Sequence, residues 1–172
     1  MKLPDPLPAR FVARLSAALR CTVEHGLLDD GRADVEQDAV SFVAHVDVGG
    51  GTVRVVGFPA VEAEVGTAIG RIATTVSVEG EPEGTYAAET GHADVAAVLT
   101  FDPDSLLART SRVAVHLRSD ATLADPKATG DPLEAGDARV VLVGEGTFEG
   151  GSLDGGRLGL VLTCRVVGFE PG

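Results

Sequence analysis

The chain has 172 residues, 44% apolar, 23% charged and 4% aromatic, with 22 glycines, 9 prolines and no tryptophan. That is one domain's worth of material, long enough to bury about two-thirds of its unfolded surface and too apolar for a disordered chain. Fourteen Lys and Arg against 26 Asp and Glu give a formal charge of −12, which repels phosphate backbones and argues against a nucleic-acid partner.

No run approaches the roughly 20 consecutive apolar residues of a membrane span, because Arg10, Arg14 and Arg20 interrupt the most helix-like stretch. The N-terminus also lacks an apolar segment followed by a small-residue cleavage site, so the expected location is the cytoplasm. Cys21 and Cys164 are too few for a disulfide framework and wrongly spaced for zinc, and read as buried free thiols. No pattern asks for a cofactor.

In chain order, residues 1–8 carry three prolines and read as an extended lead-in. Residues 9–21 place Phe11, Leu15, Ala18 and Leu19 at helical spacing, with Arg10, Arg14 and Arg20 elsewhere on the wheel, which predicts one amphipathic N-terminal helix. Its arginines would meet the acidic body or a membrane surface. Residues 24–38 are acidic and turn-rich, with Asp29, Asp30, Asp34, Glu36 and Asp38. No frame supplies EF-hand ligand spacing, so this segment is expected to be a solvated connector.

From Ala39 the hydrophobic period becomes two. Val40, Phe42, Ala44, Val46 and Val48 alternate with Ser41, His45 and Asp47, and Gly49-Gly50-Gly51 permits a tight reversal into a partner strand over Thr52–Phe58. Strand character returns at Ile69–Glu79, His92–Asp102, Arg112–Leu123, Ala138–Phe148 and Arg157–Phe169, and more weakly at Ala60–Val65 and Thr85–Glu89. Seven or eight strands with almost no room for crossover helices exclude a parallel sheet. They predict a single all-β domain over 1–172: an antiparallel β-barrel or β-sandwich with its body at 39–170, plus the N-terminal helix. A helical turn capped by Asp102 is expected at Pro103–Arg109, and a surface loop at Asp120–Asp137.

Polar residues two apart share a face, which sorts the candidates for chemistry. His45 with Asp47, and His92 with Asp94, repeat a His-x-Asp-Val pattern. Brought together, the four would bind a divalent metal or run acid–base chemistry; the apolar residues on the opposite face make solvent exposure the simpler reading, and no metal is assigned. Arg112, His116 and Arg118 form a basic stripe opposite Val113, Val115 and Leu117. It would receive a ligand carboxylate or pair with acids on neighbouring strands, Glu145 among them.

The last two strands are apolar on both faces at Val140–Val143 and Leu158–Leu162, so a helix or a second protomer is expected outside the sheet. Glu145 and Arg165 interrupt them, either as a carboxylate in apolar surroundings or as a mutual ion pair. The glycine-rich stretch 144–156 has neither dinucleotide-fingerprint nor phosphate-loop spacing, and its glycines fit strand curvature instead.

Two functions follow. The first is binding of a small, largely apolar metabolite in the barrel cavity, with metal-independent cyclisation or isomerisation assigned to Glu145, Arg165 and His116. Arg112, Arg118, His45, Phe101 and Phe148 are then the expected ligand contacts. The second is a non-catalytic interaction module or homodimer acting through the apolar C-terminal strands. A closed cavity of roughly 300 Å³ or more separates the two.

Overall fold

Alternation between buried and exposed side chains runs along almost every segment of the chain, and it begins earlier than residue 39. The computed structural model describes residues 6–119 and 139–172; the expected loop at Asp120–Asp137 lies outside the described residues. Ten strands occur among them: β1 Arg10–Glu24, β2 Arg32–Asp47, β3 Thr52–Val56, β4 Val61–Thr67, β5 Gly70–Val78, β6 Glu83–Ala87, β7 His92–Pro103, β8 Ser111–Ser119, β9 Arg139–Glu149 and β10 Arg157–Pro171.

Eight of these (β1, β2, β3, β6, β7, β8, β9 and β10) close an antiparallel ring in which each pairs with the next and β10 returns to β1. The architecture is therefore a barrel and not a sandwich, with an up-and-down order interrupted once. β3 and β6 are neighbours, Thr52 opposite Thr85 and Arg54 opposite Glu83, and the β4–β5 hairpin is an excursion between them. Both are five residues long, too short to flank the whole of β2 and β7. β6 occupies one edge of β7 at residues 92–96, and β5 takes the same edge at 99–103. The excursion thus supplies the wall at one end of the barrel, where a single bridge, Leu28 to Thr67, ties it to the loop after β1.

The expected N-terminal helix is instead β1, a 15-residue strand paired with both β2 and β10. Phe11, Ala13, Ala17, Leu19, Cys21 and Val23 point inward and are buried, while Arg10, Arg14, Arg20 and Glu24 face solvent. Alanine made the two periods hard to separate, since it fits either face of a helix or a strand. Two ladders and an apolar inner face outweigh the helix propensity of Ala, Leu and Arg. The acidic connector is likewise mostly strand: only residues 25–31 turn, and Asp34 and Glu36 are outward residues of β2. The helical turn expected at Pro103–Arg109 is also absent, because Pro103 ends β7 and residues 104–110 form an irregular loop.

The reversal at Gly49–Gly51 is present, with Asp47 opposite Thr52 and Asp47 Oδ1 accepting the Gly50 N–H at 2.9 Å. Between β1 and β2 the register shifts so that Asp38 and Ala39 oppose Ala18, and Ala39 takes φ 59° in this bulge. β8 and β9 pair at 112–113 and again at 118–119, with no ladder between. There Gly144 and Gly146 allow the backbones to meet: a methyl group on Gly146 would strike the Ala114 carbonyl.

Inward apolar residues fill the barrel axis. Leu19, Phe42, Val76, Leu99, Leu117, Leu160 and Leu162 belong to one buried cluster, and each such side chain contributes about 1.5–3 kcal/mol by leaving water. An apolar void of only about 50 Å³ remains among them. The end of the barrel near the chain termini is sealed by Phe11, with Phe169 at 5.2 Å and Tyr86 edge-on at 6.4 Å between ring centroids. The opposite end is open.

Candidate functional site

Four loops crown the open end: residues 25–31, 68–69, 104–110 and 150–156. They enclose a concave apolar site of about 190 Å³, walled by Val23, Leu28, Val65, Ile72, Pro103 and Leu153. Its floor is Phe101, which is buried and packs edge to face on Phe148. Along three strands the next inward residues, Cys21, Val76 and Leu99, line the 50 Å³ void, so Val23, Thr74 and Phe101 form the layer that divides mouth from interior.

The rim is apolar and exposed. Leu27, Ile69, Leu106 and Leu107 are each more than half accessible, and three of the four line the site directly. Large aliphatic side chains held out in water at one end of a barrel are a concentrated exception to the acidic polar surface elsewhere.

Hydrogen bonds hold these loops in place. The Arg109 N–H donates to Ser152 Oγ at 2.7 Å and the Ser152 N–H donates to the Arg109 carbonyl at 3.2 Å, joining loop 104–110 to loop 150–156. The buried Ser111 hydroxyl accepts the Leu153 N–H at 2.9 Å. His25 joins a third loop: Nδ1 accepts the Leu27 N–H at 3.0 Å and Nε2 lies 3.1 Å from the Asp154 carbonyl, a pattern that suits the neutral Nε2–H ring. Gly151, at φ 69°, sits where a side chain would collide with the Thr110 carbonyl, so only glycine allows this approach of the two loops.

The expected site residues fall mainly elsewhere. Phe101 and Phe148 are both inside, but only Phe101 reaches the mouth. Arg112, His116 and Arg118 are exposed on the outer face of β8, and each is engaged by acid partners other than the expected Glu145. Arg112 forms a two-pronged pair with Glu79, both N···O distances 2.6 Å, and this hydrogen bonding holds the Glu79 carboxyl below its usual range. His116 Nε2 lies 3.0 Å from Asp94 Oδ1, and Arg118 Nε lies 3.5 Å from Asp94 Oδ2.

Glu145 is exposed, not enclosed by apolar groups, and Arg165 is exposed too. The register sets Glu145 opposite Gly159 and Arg165 opposite Arg139, six residues apart on β10, so the mutual ion pair cannot form over roughly 20 Å. His45 and Asp47 stand on β2 and His92 and Asp94 on β7, with β3 and β6 between, so the four do not converge. No group of three or more His, Cys, Asp or Glu is arranged around a metal position among the described residues.

Of the expected covers for the apolar C-terminal strands, the helix does not exist. Val141 and Leu142 are nonetheless both buried, one on each face of β9. Sequence reasoning missed Leu27, Ile69, Leu106 and Leu107. Their signal was present as aliphatic residues inside turn-rich stretches, Leu27-Leu28 before Asp-Asp-Gly and Leu106-Leu107 after Asp-Pro-Asp-Ser.

Fold and site together define an antiparallel β-barrel with one sealed end and one apolar, open end. Comparison of the chain with protein-family models, with curated proteins and with solved structures returns no match.

Proposed function

We propose that this protein binds a small apolar molecule, or the apolar end of a larger one, in the barrel mouth. The observation that carries the reading is the ring of exposed Leu27, Ile69, Leu106 and Leu107 around an apolar site of about 190 Å³. An apolar cavity of about 150 Å³ is enough for benzene, whereas sites that enclose a drug-sized ligand run to roughly 300 Å³ and beyond. The mouth therefore suits a ring or short chain whose remainder protrudes. The closed barrel cavity expected from the sequence is not found among the described residues. The axis keeps a void of only about 50 Å³, too full to be the binding chamber, so the place for a ligand moves from the interior to the open mouth.

The lining includes Thr67, Thr74, Ser152 and Arg109, but among the described residues no Asp, Glu or His. That composition favours binding over acid–base turnover. Titration with a neutral apolar fluorophore is expected to give a saturable 1:1 signal that is lost in the Ile69→Glu/Leu107→Glu double variant. Circular dichroism checks that the variant is folded. A wild-type protein that does not enhance the fluorescence, or a folded variant that binds equally well, would overturn the reading.

A further inference from the structure

We infer that the molecule held in the mouth is an amphiphile with an anionic, carboxylate-type head seated on Arg109. This rests on the mouth being the binding site. Among the described residues Arg109 is the only charged one lining it. Its backbone is fixed by the paired hydrogen bonds with Ser152, so the side chain starts from a set position on the rim. Among the described residues its guanidinium has no ion-pair partner, a state it shares with Arg14, Arg157 and Arg165, which are not in the mouth, whereas Arg32, Arg54, Arg71, Arg112 and Arg118 each lie against an acid.

Volume and chemistry point the same way. A site of about 190 Å³ is of the size that holds a six-carbon ring, which leaves the head of a longer chain at the rim. There the guanidinium presents a donor fork matched to a carboxylate. The Ser152 hydroxyl, which accepts the Arg109 N–H, keeps its own proton to donate. Two of the acids at this end are already occupied by donors: Asp154 Oδ1 accepts the Gly150 N–H and Asp102 Oδ1 accepts the Thr110 hydroxyl. Asp29, Asp30 and Asp104 also stand on these loops, so a cationic head is the direct competitor.

The test is isothermal titration of the wild type and of Arg109→Met, which keeps the apolar stem, with octanoate, octan-1-ol and octylammonium. Octanoate is expected to bind the wild type about fivefold or more tighter than octanol, an advantage that shrinks with added salt and vanishes in Arg109→Met while octanol affinity holds. If octanol or octylammonium equals octanoate in the wild type, or if Arg109→Met keeps the octanoate preference, the inference is wrong and the mouth remains a binding site. If none of the three binds, the mouth reading fails and takes the inference with it.

Discussion

Phe148 meets Phe101 edge to face, ring centroids 5.0 Å apart and planes at 88°, and so backs the ring that, with Val23 and Thr74, divides the open mouth from the packed interior. Both rings are almost fully buried. Truncation of Phe101→Ala removes that boundary and is expected to cost about 3–5 kcal/mol. Urea unfolding would show it as a lower midpoint at unchanged slope. A loss below about 1 kcal/mol would mean that Phe101 is not packed as described.

Two glycines in neighbouring strands should respond oppositely to the same change. A methyl group on Gly146 runs into the Ala114 carbonyl and the Val113 side chain, while one on Gly159 meets nothing within 4 Å. Gly146→Ala is expected to destabilise by about 1–3 kcal/mol, because backbone has to move. Gly159→Ala is expected to be neutral or to stabilise by up to about 1 kcal/mol, through the lower entropy of its unfolded chain. Thermal unfolding of the two variants side by side checks the contrast.

Ala39 holds φ 59° in the β2 bulge, a conformation that costs a residue with a Cβ about 1–2 kcal/mol. Ala39→Gly relieves that strain at the expense of some unfolded-state entropy. A net gain of about 0.5 kcal/mol is expected, seen as a higher unfolding midpoint. A lower midpoint would show the bulge to be unstrained.

Burial pushes both thiols, Cys21 and Cys164, up to about 12. They should therefore resist alkylation in the native protein at about pH 8 and react at once after unfolding. The unfolded chain ionises its thiols first, so their contribution to stability is complete below their ordinary value of 9.0 and is lost as the pH rises toward about 12. Replacing both with alanine should flatten the alkaline limb of the stability curve. Ready native-state alkylation would contradict the burial.

Hydrogen bonds from Arg112 lower the Glu79 carboxyl, with a further contribution from the Thr100 hydroxyl. A depressed carboxyl stabilises the fold above its unfolded value, and that contribution disappears as the pH falls through the folded one. In Arg112→Met, an NMR titration should find Glu79 moved up toward 4.5. An unmoved titration would show that the pair is not held in solution.

Much of the barrel was legible in the sequence because its signal is local. Period-two alternation at Val40–Val48 and the triple glycine after it sufficed for the β2–β3 hairpin, and the β-branched runs marked β5, β7, β8, β9 and β10 to within a few residues. β1 was misread because Ala13, Ala17 and Ala18 carry little periodic information, and its strand character comes from pairing on both edges, with β2 and with β10 at the far end of the sequence. The site was less legible for a related reason. Conspicuous polar residues such as His116 and Glu145 turned out to be outer-face groups, while the mouth is made of aliphatic loop residues whose common location depends on ring closure. Phe101 was singled out as a ligand contact, but nothing local marked it as the floor.

Because β3 and β6 already bond to each other, residues 57–82 are a detour that the eight staves do not require. The detour still plants two aliphatic feet, Val61 and Val76, in the common core. Any replacement that keeps those footholds and the β5 ladder on β7 leaves the tube intact while redrawing one side of its opening. Diversification of what the opening accepts can therefore be concentrated in one short, exchangeable stretch of chain.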